Sequence, residues 1–488
     1  MNATLNSIIE YPAWELSRLI HAKKVSCREV MTAYLDHIAR ANPRVNAIVA
    51  LQDRDSLLKQ ADEKDKLLAS GRSDGWMHGF PQAIKDLEET KGIVTTYGYR
   101  VFKDFIPQVD SIVVSRMKQA GSIIIGKTNT PEWGFGSHTY NEVYGATGNP
   151  YDTSRTSGGS SGGSACALAM RMQAVADGSD FMGSLRNPAG YCNVYGYRPS
   201  WGRVPNSGGE LFATTFPTRG PMARNVADLA LLLGTLSGYE EKIPLSLSDD
   251  TDYCGLTPEN VHSRLKTDVR GRKVAWLGDW NGYLPTEAGV LETCEKALKT
   301  LPTFGVEVEK IANPYDPAVL WNNVWLPSRH FASQSLKPFY DDPAKRALLK
   351  PEAIFEYEGG RNYTAQDIYL ASVKRTEWYH ALLKVFEKFD YVAVPSAQVF
   401  PFDKTMTWPK EIAGKKMDTY HRWMEVVAPW TLSASPIISI PAGFNDKGLP
   451  MGIQIIGKPR ADFDVLQFAY AYETHNDWVG SHKPKYLD

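Results

Sequence analysis

The sequence predicts an α/β protein, a single α/β/α layered domain with a central mixed β-sheet flanked by helices, spanning all 488 residues. Three observations lead there. Helical periodicity alternates with short apolar runs joined by tight turns, the rhythm of a mixed or parallel sheet. Apolar residues make up 43% and charged residues 22%, which supplies a large buried core. No internal repeat or low-complexity tract divides the chain. The domain is expected to comprise N-terminal helices (1–75), a core (76–237), a variable C-terminal half (238–430) and closing core strands (431–488).

Taken in order, Tyr11 to Leu51 reads as helical. Ser26 with Glu29 forms a capping box, and Val30, Ala33, Tyr34 and Ile38 share one face, with Asn42-Pro43 as the stop. A second helix covers Asp55 to Ala69 and ends at GRSDG. Gly79-Phe80-Pro81 then leads into QAIKDL, a buried strand that closes on Lys85. Asp110 reads as the N-cap of SIVVSRMKQAG, whose glycine ends the helix, and SIIIG at 122–126 is a strand. The aromatic, turn-rich stretch from Lys127 to Pro150 is expected to be a surface loop system, placed by the sheet to carry binding residues. An amphipathic helix is expected near Val226 to Leu236, followed by a polar, irregular connector at 239–270. KVAWLG, VEVEKI, YVAVPSAQ, PIISIPAGF and LPMGIQIIG read as strands, and TEAGVLETCEKALKTL as a helix.

The chain is organised around Ser157 to Pro188. Two serine clusters, Ser160/Ser161 and Ser184, sit among glycines and are joined by a small-residue apolar segment. Gly158, Gly159, Gly162 and Gly163 let another group approach closely; a packing helix has little use for them, whereas a reactive centre does. Lys85, Ser160 and Ser184, spaced by 75 and 24 residues, resemble the Ser-Ser-Lys triad of the amidase signature family. The likeness extends from the N-terminal helices to LPMGIQIIGKP.

That resemblance implies a serine amidohydrolase that cleaves carboxylic amide bonds through an acyl-enzyme on Ser184. Serine is unreactive at neutral pH, so a base must take its proton. Lys85 can serve only as the neutral amine, a form that burial favours. Ser160 would relay the proton, and the resemblance places a cis peptide bond at this bridging serine. The backbone N–H groups of Phe181, Met182, Gly183 and Ser184 would supply the oxyanion hole. Asp180 and Arg186 read as a structural ion pair shaping that loop, and Ser161 as a support bonded to Lys85 or the loop. Met182 departs from the family's paired glycines: a side chain there either narrows the mouth of the hole or needs an ordinary φ, and Met182 is expected to restrict the acyl side of the pocket. Trp133, Gly134 and Phe135 are the candidate substrate-binding residues.

The substrate is expected to be a small-molecule aryl, alkyl or oligomeric amide, with ester or carbamate hydrolysis open. Aromatic residues crowding 315–360, with Trp408, Trp423 and Trp430, would form either a hydrophobic funnel or plain core. Neither metal nor cofactor is expected, since nucleophile, base and oxyanion donors all come from the chain. A formal charge of −1 gives no reason to expect nucleic acid. With no apolar stretch approaching 18 residues, no membrane span and a cytoplasmic location are expected. Cys27, Cys166, Cys192, Cys254 and Cys294 show no ligand spacing and fit a reducing compartment. A homodimer is the default association.

Three rival readings are weaker. GGSSG matches a nucleophile elbow, but a polar turn precedes it where a strand belongs. The glutaminase subunit of a tRNA-dependent amidotransferase would carry an S-S-L-D-Q-like stretch where this chain has Thr214-Thr215-Phe216-Pro217-Thr218-Arg219, without the acid. A catalytically silent binding protein would need a broken triad. His138 reads as structural.

Overall fold

The computed structural model describes residues 8–248 and 255–487; Cys254 and part of the 239–270 connector lie outside them. The N-terminal helices run Ala13–His21 (α1), Cys27–Val45 (α2) and Arg54–Ala69 (α3). The Ser26–Glu29 capping box is present in full. Asn42-Pro43 does not stop α2 at once, since Pro43 lies inside the helix, in its last turn. The helix ends at Asn46, which takes the left-handed conformation.

Two sheets follow. The smaller contains Ile48–Val49 (β1), Pro81–Lys85 (β2) and Ile123–Thr128 (β3), ordered β1-β3-β2, with β2 parallel to β3. The helix Ile112–Gln119 (α4) precedes β3 and is capped by Ser111 rather than Asp110. Asp110 instead accepts from Lys118 Nζ at 2.8 Å.

The larger sheet takes Val175–Asp180 (β4), Tyr195–Arg198 (β5), Thr218–Ala223 (β6), Lys273–Trp276 (β7), Glu307–Lys310 (β8), Tyr391–Pro395 (β9), Ile437–Phe444 (β10) and Pro450–Gly457 (β11). Their order is β8-β7-β9-β11-β10-β5-β6-β4. The β8-β7-β9 end is parallel and the remainder antiparallel, so the sheet is mixed. Its inner strands β9, β10 and β11 are nearly continuous apolar runs, buried almost along their whole length, whereas the edge strand β8 is polar and largely exposed. The two sheets meet where the Lys85 N–H reaches both carboxylate oxygens of Asp177 at 3.2 Å.

The stretch 127–150 is not a surface loop. Asn129, Thr130, Ser137, His138, Thr139 and Asn141 are buried. Asn141 explains how: its Nδ2 donates to Thr130 O at 2.7 Å, and its Oδ1 accepts the N–H of Val143 and Tyr144. Side chains satisfy the loop backbone, which removes the need for water. His138 is structural, bonded to Thr156 Oγ1 and Lys404 O. Most of the C-terminal aromatics are core: Trp321, Trp325, Trp423 and Trp430 are buried, and Trp280, Trp378 and Trp430 pack mutually at 5.7–5.8 Å, whereas Trp408 and Phe355 line a separate cavity of about 800 Å³. No helix among the described residues is long and apolar enough to cross a membrane.

Candidate active site

Lys85 ends β2 with its side chain wholly buried. Its Nζ lies 2.8 Å from Ser160 Oγ, 2.8 Å from Ser161 Oγ and 2.9 Å from Ser179 Oγ. These three partners are neutral hydroxyls, and the Ser179 carbonyl lies farther off at 3.4 Å. An ammonium has three protons to donate, whereas the free amine has two and one lone pair. The same geometry therefore accommodates an amine that accepts from one hydroxyl. Burial, followed by the positive charge of Arg219, brings the Lys85 pKa down to about 7, so the free amine is well populated at neutral pH.

The two serine clusters reach this amine from different elements. Ser160 and Ser161 precede the buried helix Gly162–Ala169 (α5), and the Gly159–Ser160 peptide is cis. Ser184 lies on the turn after β4, before the helix Arg186–Cys192 (α6), and its carbonyl accepts the Ser161 N–H at 3.2 Å. Ser160, Ser179 and Ser184 line one cavity of about 630 Å³.

Between β4 and Ser184, Asp180 anchors the turn. Arg186 grips it through Nε at 2.9 Å and Nη2 at 3.0 Å, and Arg198 Nη1 adds a contact at 3.2 Å; all three side chains are inaccessible to solvent. Burial pushes the Asp180 carboxyl up, but the two guanidinium groups outweigh it and hold the pKa far below the usual carboxylate range. The expected Asp180–Arg186 pair is thus a three-membered ionic cluster. Asp180 Oδ1 also takes the Gly183 N–H at 2.9 Å. Of the four expected oxyanion donors, Gly183 is therefore already bound, which leaves Phe181, Met182 and Ser184.

Met182 packs its side chain in the main apolar core and is not among the residues that line the cavity, which argues against the expected restriction of the acyl side. Its backbone keeps an ordinary angle, whereas Gly183 has φ +82°. A Cβ at 183 would meet Val427 Cγ2 at 2.8 Å. Glycine is thus required at 183 and not at 182.

Trp133 and Gly134 line the cavity. Trp133 stacks on Tyr97 at 4.9 Å, and a Cβ on Gly134 would fall 3.3 Å from Ser160 Oγ. Phe135 does not line it; it turns into a second apolar cluster with Tyr99, Leu336 and Tyr357. From the aromatic-rich 315–360 segment the cavity takes Arg329 and Ser335 and no aromatic side chain. Sequence reasoning missed Ser179, Tyr97, Glu88, Arg219 and Arg329. Only Ser179 left a signal, as a serine between Gly178 and Asp180 at the end of a strand leading to the nucleophile candidate.

A lysine–serine cluster where the edge strand of a mixed sheet meets a second, smaller sheet is the framework of hydrolases that act on carbon–nitrogen bonds. The chain belongs to the amidase signature family, whose family model, described as Amidase, matches residues 29–466. It is 34% identical over 476 residues to the A subunit of the glutamyl-tRNA(Gln) amidotransferase of Acaryochloris marina, covering 93% of this chain and 96% of that one. It superposes on a bacterial aryl acylamidase of the amidase signature family with TM-score 0.88 and 28% identity, covering 98% of both chains. The A subunit of the Thermotoga maritima glutamyl-tRNA(Gln) amidotransferase gives TM-score 0.76 and 28% identity over 96% and 95% of the two chains.

Proposed function

We propose that the protein is a stand-alone amidase acting on aryl or alkyl amides. The observation that carries this reading is the wholly buried Lys85 amine, bonded to Ser160 at 2.8 Å in a cavity that Ser184 also lines. Ser184 Oγ attacks the amide carbonyl while its proton passes through Ser160 to the Lys85 amine. The N–H groups of Phe181, Met182 and Ser184 take up the negative charge of the tetrahedral intermediate. Collapse returns the proton, again through Ser160, to the departing amine and leaves an acyl-enzyme. Water, deprotonated by the same relay, then releases the acid and regenerates Ser184.

The cavity walls support the substrate class. Leu87, Tyr97, Trp133 and Phe181 give apolar surface, and the volume suits a small organic molecule. The full-length likeness to amidotransferase A subunits favours a second reading, a glutaminase that passes ammonia to a partner. Against it, the fourth position of the stretch where such subunits carry their acid is Pro217, itself on the cavity wall.

The test is hydrolysis of an anilide, a fatty amide, a carbamate, an aminohexanoate oligomer and glutamine by wild type, Ser184→Ala and Lys85→Ala. Turnover of an apolar amide, lowered by a factor of about 10² or more in both variants, is expected. Ammonia release from glutamine alone would move the assignment to the amidotransferase reading. Activity surviving in Ser184→Ala would mean a different nucleophile.

A further inference from the structure

Lys85 is surrounded by more acid than a neutral amine should tolerate. Asp177 of β4, which takes the Lys85 N–H, Glu88 of the turn that follows β2 and, more weakly, Asp180 at the end of β4 all favour its charged form. Lys127 of β3 and Arg219 of β6 complete the charged surroundings. A carboxylate within a few ångströms favours the ammonium form, so each acid must be compensated if Lys85 is to serve as a base. Asp180 is committed to Arg186 and Arg198. Asp177 is pushed up to about 7 by burial and then by Glu88, which leaves it partly neutral. Glu88 remains, almost wholly buried.

Glu88 is held in place on every side. Its N–H donates to Lys85 O at 2.9 Å, and its carbonyl takes a hydrogen bond from the buried Lys127 Nζ. Its carboxylate takes the Nε–H of Arg219 in a short ion pair. Arg219 is equally fixed. In the antiparallel β4–β6 pair it stands directly opposite Ser179, and opposed residues project to the same face. Ser179 Oγ is one of the three hydroxyls on Lys85 Nζ. Arg219 and Glu88 both line the cavity that holds Ser160 and Ser184.

We infer that Arg219, clamped by Glu88, is a positioning residue for the hydrolysis: its cation cancels the Glu88 carboxylate that would otherwise draw a proton onto the Lys85 amine. This rests on the proposed Ser-Ser-Lys mechanism. The pair acts through Lys85 and touches no reacting atom. It explains why a cation stands beside a cationisable base, an arrangement that is otherwise unfavourable.

The experiment is the pH dependence of kcat/KM for wild type, Arg219→Gln, Glu88→Gln and the double variant, with the rate of Ser184 labelling by a fluorophosphonate followed over the same range. Removing the cation should move the acid limb to higher pH by about one unit or more, with activity restored at alkaline pH. Removing the carboxylate should move it the other way. The double variant should return close to the wild-type midpoint, and Arg219→Lys, which keeps the charge, should stay there. If Arg219→Gln does not fold, opposite displacement in Glu88→Gln with return in the double variant decides the matter alone. Identical midpoints in all the folded variants would overturn the inference and leave the mechanism standing. Absence of both amide turnover and Ser184 labelling at every pH would instead overturn the mechanism.

Discussion

Two ionisable clusters lie at the end of β4, both deeply buried, and they end in opposite charge states. Burial alone pushes each towards its neutral form. Asp180 is given two guanidinium groups and stays an anion. Lys85 is given three hydroxyls, and its pKa falls to about 7. The partner set, not the depth of burial, therefore decides whether a buried group is a structural ion or a reagent. The first cluster ties the turn carrying Ser184 to the far side of the sheet, since Arg186 also reaches Val427 O, Gln454 Oε1 and Thr431 Oγ1. In the proposed mechanism the second cluster keeps a proton acceptor available.

The largest effect that separates them is thermodynamic. Asp180→Asn leaves two buried arginines without their anion and should cost about 3–5 kcal/mol, read as a lower denaturant midpoint at neutral pH. Lys85→Met removes hydrogen bonds but no obligatory charge, and should cost only about 1–3 kcal/mol while abolishing turnover. Equal costs would show that Lys85 is held as an ammonium, and the contrast between the clusters would fail. The pH dependence has a definite sign. The unfolded chain keeps the Lys85 proton up to about pH 10.4, whereas the folded chain loses it near 7. Between those limits the unfolded state binds more protons, so this group makes folding stability rise with pH. The Lys85→Met variant should lack that rise, which paired denaturation curves at pH 7 and pH 9.5 will measure.

The same contrast separates what the letters disclosed from what they did not. The glycine-rich serine clusters and the lysine closing a short apolar run are local patterns, and they identified Lys85, Ser160 and Ser184 as candidates. Strands such as Tyr391–Pro395 and Pro450–Gly457 were equally legible, because full burial leaves an uninterrupted apolar run. Partners set by strand register were hidden. Ser179 meets Lys85, Arg198 meets Asp180 and Arg219 meets Glu88 only through pairings between distant segments. The loop 127–150 was misread because its composition is that of a surface turn, while its asparagines and threonines serve as internal hydrogen-bond partners. Phe135 was misassigned for a related reason: its neighbours Trp133 and Gly134 face the cavity, but Phe135 turns inward to Tyr99 and Tyr357.

The smallest predicted effect lies on the turn between the two clusters. Met182 departs from the glycine pair expected there, yet it fills core space while Gly183 makes the tight turn. Methionine and leucine have similar volumes and differ mainly in flexibility. Met182→Leu should therefore cost less than about 1.5 kcal/mol and leave the ratio of kcat/KM between a short-acyl and a bulky-acyl anilide unchanged. A change in that ratio without loss of stability would put the Met182 side chain on the acyl wall after all. The turn would then tune specificity as well as join the structural ion to the reagent.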